Sequence, residues 1–193
     1  MAQAVERLRL EIAGCRVCAD QLAAGARPVV QLGETARILI IGQAPGSRVH
    51  QSGVPWDDDS GRRLREWTGI GDADFYDSAR VALMPIGFCY PGKGASGDLP
   101  PRPECAPLWH DRVLALLPPD RLTLLVGSFA QKRYTPELRA LSMTDRVRQG
   151  NGADPSTFLL PHPAWRSVGW MRRNPWFAEV VLPPLRAAVR ARL

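Results

Sequence analysis

The chain has 193 residues, of which 45% are hydrophobic, and a formal net charge of +6. This length favours a soluble protein with a substantial core. No apolar run reaches the roughly 18 residues that a membrane-spanning helix needs, and the first residues lack the layout of a signal peptide. We therefore expect a cytoplasmic protein with no membrane partner, in which the four cysteines bind a metal or stay reduced rather than form disulfides.

Arginine supplies almost all of the positive charge, because only Lys93 and Lys132 are lysines. Planar guanidinium groups suit phosphate recognition, although a high-GC coding bias would give the same composition. Near the C-terminus, arginines and tryptophans share one segment, which contains Trp165, Arg166, Trp170, Arg172, Arg173 and Trp176. Basic and aromatic groups placed together in this way are typical of nucleic-acid binding.

The first half of the chain alternates between helix and strand. A short amphipathic helix is predicted over residues 4–14. The continuous apolar run 38–41 predicts a central parallel strand that is covered on both faces. Ser60 suits the N-cap of a helix through Trp67, and residues 81–85 form a second predicted strand.

The second half continues this alternation. Its predicted elements are a helix from Pro103 to Leu117, a strand over 122–126, a helix after Gly127-Ser128, a strand over 158–160 and a closing helix over 177–192 that Pro183-Pro184 must break or restart. The polar segment 142–156 is predicted to be a loop. This order predicts an α/β fold, a three-layer α/β/α sandwich around a four-stranded, mostly parallel sheet.

Two loops at strand ends have the composition of a binding site. The loop 42–46 (Gly-Gln-Ala-Pro-Gly) follows the first strand, and its glycines let a ligand approach the backbone closely. The loop 161–166 follows the fourth strand and contains His162. Ligands of open α/β sheets bind beyond the carboxyl ends of the strands. We therefore expect the Gln43 amide and the His162 imidazole to form two walls of one site.

The cysteines form a pair with two residues between them, Cys15 and Cys18, and a distant pair with 15 between them, Cys89 and Cys105. Four cysteine thiolates bind either Zn²⁺ or an iron–sulfur cluster, and their spacing does not separate the two. Four unrelated buried thiols are the alternative. A metal on these residues would tie the N-terminal helix to loops of the sheet, which is a structural task.

These motifs occur together, in order and at compatible spacing. The loop 42–46, the segment Gly53-Val-Pro-Trp56, the cysteine spacing and His162-Pro163 resemble the uracil-DNA glycosylase superfamily, most closely its iron–sulfur branch, family 4. The resemblance covers nearly the whole chain and implies a single domain over 1–193. It also implies a structural [4Fe–4S] cluster on the four cysteines, with zinc as the less favoured metal. The implied reaction flips a damaged nucleotide out of the DNA stack.

The resemblance assigns roles to individual residues. Trp56 stands where the family's aromatic residue stacks on uracil, beside the loop residues Gly42, Ala44, Pro45 and Gly46. His162 stands where the family's histidine contacts uracil O2 and stabilises the departing anion, the main electrostatic contribution to such a reaction. Trp165 and Arg166 hold the place of a loop that enters the duplex, and Arg172 and Arg173 are placed to clamp flanking phosphates.

Several positions depart from the family pattern, among them Val49-His50, which stands in the place of an acidic pair. Gln43 replaces a glutamate, Ala44 stands where the classical enzymes have aspartate, and Pro85 replaces an asparagine that reads the uracil edge. Asp58 and His50 are the candidate replacements for the missing carboxylate, to orient water or to stabilise the sugar cation. The alternative for Asp58 is a solvated helix N-terminus favoured by the helix dipole, and the alternative for His50 is a structural role.

The function expected from these observations is a monofunctional DNA glycosylase that excises uracil, or another deaminated base, and leaves an abasic site. "Monofunctional" follows from the position of Lys93 and Lys132 outside both loops, where neither serves as a Schiff-base nucleophile. One alternative is a uracil-DNA binding protein with little turnover, and another is a metal protein whose pocket has lost catalysis. A monomer is expected, since the protein must scan DNA.

Overall fold

The computed structural model describes residues 2–152 and 154–193. Its strands are β1 (Ile38–Ile41), β2 (Val81–Leu83), β3 (Lys93–Gly94), β4 (Gly97–Asp98), β5 (Leu122–Val126) and β6 (Thr157–Leu160). Its α-helices are α1 (Ala2–Ala13), α2 (Ser47–Ser52), α3 (Asp59–Thr68), α4 (Asp72–Phe75), α5 (Cys105–Leu114), α6 (Ser128–Tyr134), α7 (Met143–Gly150), α8 (Arg166–Arg173) and α9 (Leu182–Arg190). Within these described residues, no helix is long and apolar enough to cross a membrane.

The main sheet has the strand order β2-β1-β5-β6, and all of its neighbouring strands are parallel. Strand β1 lies inside the sheet, with Ile40 paired to Leu83 on one side and to Leu124 on the other. All four β1 side chains are fully buried, as expected of a parallel strand covered on both faces. The parallel register brings the carboxyl ends of the four strands to one edge.

Helices cover both faces of this sheet. Leu39 and Ile41 pack in one core with apolar residues of α1 and α5. Ile38 and Ile40 belong to a second core, to which α3 and α9 contribute. The alternation of side chains along β1 therefore divides the interior into two layers of packing. The three-layer α/β/α sandwich predicted from the sequence is confirmed.

Several local predictions were wrong. Helix α7 occupies most of the segment predicted as a loop, with Ser142 as its N-cap and Val147 buried. The N-cap of α3 is Asp58 rather than Ser60, since its carboxylate accepts a hydrogen bond from the Gly61 backbone N–H. Helix α5 begins at Cys105, two residues after the proline expected to open it.

Two regions to which the sequence analysis assigned no helix or strand also contain regular structure. The antiparallel pair β3–β4 forms a small hairpin after β2, and α8 follows the loop at the end of β6. The predicted closing helix divides into a π-helical turn, Phe177–Val181, and α9. The two prolines fall in the first turn of α9, where their missing N–H groups cost little.

Candidate active site

A pocket of about 690 Å³ opens at the carboxyl edge of the sheet. Its walls come from the loops after β1, β2, β5 and β6, from the β3–β4 hairpin, from the start of α3 and from α8. The residues predicted for this site that line it are Gly42, Gln43, Ala44, Pro45, Gly46, Trp56, Asp58, His162, Arg166 and Arg173. The fold therefore brings together the two strand-end loops that the sequence suggested.

Trp56 lies on the pocket wall in a strained conformation. Among the described residues it is the one non-glycine residue with a positive φ, +58°, a state that costs energy and persists where the surroundings enforce it. Its indole covers Gly42, where an added Cβ would lie 2.7 Å from the ring. Its carbonyl packs so tightly on Gly61 of α3 that an added Cβ there would lie 1.8 Å away. The two glycines thus fix the position of the indole.

His162 faces the same space as Trp56. The two ring centroids are 6.0 Å apart, with an angle of 29° between the planes. The backbone around the imidazole is held by two contacts: Gly127 lies close against its Cβ, and Arg63 of α3 donates a hydrogen bond of 2.7 Å to the Pro163 carbonyl. Burial lowers the pKa of His162, and the negative charges of Asp58 and Asp98 oppose that shift. The imidazole is therefore neutral near pH 7.

Two carboxylates approach the pocket from different elements. Asp58 caps α3 through Oδ1, which accepts from Gly61 at 2.8 Å. Asp98 ends the β3–β4 hairpin, and its Oδ1 accepts from the Tyr90 hydroxyl at 3.3 Å. Their remaining oxygens lie 3.9 Å and 3.7 Å, respectively, from the position that a Cβ on Gly46 would occupy. Asp58 therefore caps the helix, as one of the two sequence alternatives held, and it also lines the pocket.

His50 lies away from the pocket lining. It belongs to α2, where its Nε2 is 3.1 Å from the Ala24 carbonyl and its ring is 5.9 Å from that of Tyr90. Its own carbonyl accepts a hydrogen bond from Arg27. These contacts tie α2 to the segment between α1 and β1, which corresponds to the structural alternative for this histidine.

Helix α8 forms a basic rim on the pocket. Arg166 and Arg173 line it, whereas Arg172 and Trp165 lie outside the lining. Trp165 is 73% exposed, beneath the guanidinium of Arg166 at 5.0 Å. The other two tryptophans of this segment, Trp170 and Trp176, are half-buried and pack edge-on against Phe177. Trp170 also lines the pocket, whereas Trp176 lies outside the lining.

Sequence reasoning missed Asp98, Ser128 and Phe129, which also line the pocket. Ser128 and Phe129 begin α6 directly after β5, so the rule that ligands bind at the ends of parallel strands was the signal that would have found them. Asp98 had no comparable signal, because it reaches the pocket through a hairpin folded back from a Gly/Pro-rich loop.

The four cysteines line a second, much smaller cavity, together with apolar residues such as Leu22 and Trp109. Cys15 follows α1 and Cys105 begins α5, so the cavity joins two helices to the loops that carry Cys18 and Cys89. The Phe88 backbone N–H points to the Cys105 sulfur at 3.5 Å. Burial, and then the charge of Cys105, raises the pKa of the Cys89 thiol to about 11.

The donor set of this cavity has the chemistry of a metal centre, since all four thiols face one enclosed space and thiolate is the ligand that iron–sulfur clusters use. Within residues 2–152 and 154–193, no group of three or more such side chains is arranged to hold a metal ion. Four thiolates serve as ligands of either zinc or an iron–sulfur cluster.

Comparison with known families gives a match over most of the chain. The family model described as the uracil DNA glycosylase superfamily matches residues 30–186. The match includes every predicted residue of the large pocket, together with Cys89 and Cys105. It begins after Cys15 and Cys18, so it carries no information on that pair.

Proposed function

Because the chain belongs to the uracil DNA glycosylase superfamily, we propose that it is a monofunctional DNA glycosylase that flips uracil out of DNA and hydrolyses its N-glycosidic bond, leaving an abasic site. Membership supports a glycosylase function of this type in general. The observation that supports the specific reaction is the pairing of Trp56 and His162 in one pocket at the carboxyl ends of β1 and β6.

Binding of the base begins with its removal from the stack, which costs a few kcal/mol. The Trp56 indole offers a flat apolar surface on which the flipped base stacks. Its strained backbone and its contacts with Gly42 and Gly61 keep the ring in place before the base arrives. A preorganised surface loses less entropy on binding than a mobile one does.

Bond cleavage places negative charge on the departing base. The neutral imidazole of His162 retains one N–H, which donates a hydrogen bond to the developing anion on a uracil oxygen. A donor that is already in position needs no reorganisation during the reaction, and removal of such a donor typically costs about 10²–10³ in rate. The nearby negative charge of Asp58 stabilises the positive charge that appears on the sugar.

The DNA backbone is bound by the basic rim. Arg166 and Arg173 border the pocket mouth, and Trp165 is exposed beside them. Arginine side chains there contact phosphates on either side of the flipped nucleotide, and the Trp165 ring fills the space that the base leaves. Neither Lys93 nor Lys132 lines the pocket, which favours water as the nucleophile over a lysine.

We also propose that Cys15, Cys18, Cys89 and Cys105 hold a [4Fe–4S] cluster. Such a cluster would supply cross-links between α1, α5 and the loop after β2, and its electrons take no part in hydrolysis. The support is the shared cavity of the four cysteines, whose thiolates are the ligand type that iron–sulfur clusters use.

The experiment is a glycosylase assay on duplexes that carry one uracil, hypoxanthine or xanthine, with protein purified without oxygen and its visible absorbance recorded. We expect alkali-labile sites on the uracil strand and a brown protein. A preference for another base would change the base specificity that we propose but leave the proposed hydrolysis reaction unchanged. Brown, folded protein that cleaves nothing would contradict the proposal and favour the binding-protein alternative.

A further inference from the structure

The proposed reaction lacks a base for the attacking water, because the family's carboxylate position is occupied by Gln43. An amide does not accept a proton near neutral pH. The chain must supply a carboxylate from elsewhere in the pocket, and two of them face it, Asp58 and Asp98. The two carboxylates differ in the groups that hold them in place.

The Asp58 carboxylate caps the N-terminus of helix α3. Its Oδ1 accepts from the Gly61 backbone N–H at 2.8 Å, and the positive end of the helix dipole offsets part of its charge. The helix therefore fixes the position of this carboxylate, and the N–H groups of its first turn offset part of the negative charge.

Asp98 is held by a neutral partner. The Tyr90 side chain is buried, and its hydroxyl donates to Asp98 Oδ1 over a longer distance, 3.3 Å. The hairpin that carries Asp98 is fastened by a hydrogen bond of 2.9 Å from Leu99 N to the Gly92 carbonyl. This arrangement fixes one oxygen of the carboxylate and leaves Oδ2 directed towards Gly46.

We propose that Asp98 is a catalytic residue, which binds the nucleophilic water through Oδ2 and accepts its proton. The C1′–N1 bond breaks with its electron pair leaving on the base, where His162 stabilises the anion. Water forms the new C1′–O bond, and one of its protons passes to Asp98. That proton then returns through solvent to the base, so the net products are free uracil and an abasic site. The inference rests on the proposed function.

Two features support Asp98 over Asp58 as the proton acceptor. The full charge of Asp98 is opposed by no helix terminus and no cationic partner in the ion pairs of the described residues. Bound DNA would cover the exposed hairpin, and exclusion of water strengthens the interaction of a carboxylate with a cationic sugar. Asp58 then acts as the second, fixed negative charge.

The test compares Asp98→Asn with Asp120→Asn, which makes the same charge change on an exposed residue whose partner is Arg37. Single-turnover excision of uracil should fall about 100-fold or more in Asp98→Asn and stay at the wild-type rate in Asp120→Asn. DNA binding by both variants should equal or exceed that of the wild type, because a negative charge has been removed. Equal excision rates for both variants would overturn the proposal.

A second measurement does not depend on turnover. Duplexes that carry a cationic pyrrolidine abasic analogue or a neutral tetrahydrofuran analogue are bound to each protein, and the ratio of the two affinities is compared. The wild type should prefer the cation, and Asp98→Asn should lose about tenfold of that preference. If the wild type excises no base, the proposed function fails. Asp98 is then still judged by this ratio: a preference that Asp98→Asn lowers supports it, and a ratio that the substitution leaves unchanged overturns it.

Discussion

The large pocket and the cysteine cavity differ in nearly every physical property that can be compared. The pocket holds about 690 Å³ and is open. Two carboxylates, an imidazole and arginines line it, and it contains the strained backbone of Trp56. The cysteine cavity is small and largely apolar, and it lies among helix ends and loops. Backbone strain is typical of sites that do chemistry, whereas enclosed thiols among apolar side chains are typical of structural centres.

This contrast indicates that one region of the chain is built for reaction chemistry and the other for stabilising the fold. The pocket side chains point into an open space at the edge of the sheet, so their substitution should change the excision rate more than stability. The cysteines join two helices to two loops around one small cavity, so their substitution should change stability more than the excision rate. The following predictions test that division, beginning with the largest expected effect.

Cys89→Ser should remove the metal centre that we propose. We expect loss of the visible absorbance and a free energy of unfolding lowered by more than about 4 kcal/mol, because loss of a structural metal is among the most destabilising changes known. Denaturant unfolding measures the loss. Leu22→Val, a conservative change in the same cavity, should cost about 1 kcal/mol and leave the metal content unchanged. Equal stability of both variants would show that the cysteines hold no structural centre.

His162→Ala should lower the rate of base excision rather than the stability of the fold. Loss of the hydrogen bond to the departing base should lower single-turnover excision about 10²–10³-fold, while the midpoint of thermal unfolding stays within a few degrees. His162→Gln keeps a donor and should recover part of the rate. A melting midpoint that falls as far as in Cys89→Ser would contradict the separation of the two sites.

His110 lies between the two regions, and its titration should couple pH to stability. It is buried, hydrogen-bonded to Pro85 at the pocket and stacked on Phe88 beside Cys89. Burial lowers its pKa to about 4. Above pH 6.5 it is neutral both folded and unfolded; between 6.5 and 4 only the unfolded chain takes up the proton. Stability is therefore complete above about pH 6.5 and should fall by about 3 kcal/mol towards pH 4.

Unfolding measured across this pH range should be compared with that of His110→Gln, whose side chain does not titrate. The variant should have lower stability at pH 7, since it replaces a fitted ring, but a flatter decline towards pH 4. Identical slopes for the two proteins would assign the acid sensitivity to other groups.

Gly61→Ala should displace the Trp56 backbone, since the new Cβ would lie 1.8 Å from its carbonyl oxygen. We expect about 2–3 kcal/mol of destabilisation together with a large loss of excision. Gly33→Ala is the matched control, because its Cβ would meet the Ser78 carbonyl at 2.0 Å far from the pocket. It should cost similar stability and leave the excision rate of folded protein unchanged. An equal loss of rate in both variants would mean that the Trp56 position is not critical.

Arg173→Ala should give the smallest effect. Removal of one phosphate contact should weaken binding of all DNA sequences and lower the slope of log affinity against log salt by about one. Arg172→Ala tests the clamp expected from the sequence at the neighbouring position, and Arg190→Ala on α9 serves as a distant control. Unchanged salt slopes for Arg172→Ala and Arg173→Ala would remove α8 from the DNA interface.

The sequence predicted those parts of the molecule that follow from regular patterns. The apolar β-branched run of β1 has few alternatives to a buried parallel strand, and strand ends in a parallel sheet meet at one edge, which brought Gln43 and His162 together. Helix α7 escaped detection because it is short and most of its residues are polar; apart from Val147, the buried side chain in it is the charged Arg146.

The features that the sequence missed depend on tertiary contacts. Asp98 reaches the pocket because a hairpin rich in glycine folds back and Tyr90 holds its carboxylate. The strained backbone of Trp56 depends on close packing against Gly61, a residue that belongs to none of the sequence motifs. Neither contact leaves a periodic signal, so only the folded chain reveals them.

The central claim is that the large pocket hydrolyses an N-glycosidic bond, and mass spectrometry of a single-uracil duplex after incubation in ¹⁸O-labelled water tests it most directly. We predict that the uracil strand loses its base and gains one labelled oxygen at the new abasic site, with free uracil in equal amount. An unchanged strand, or a strand joined covalently to the protein, would contradict the account.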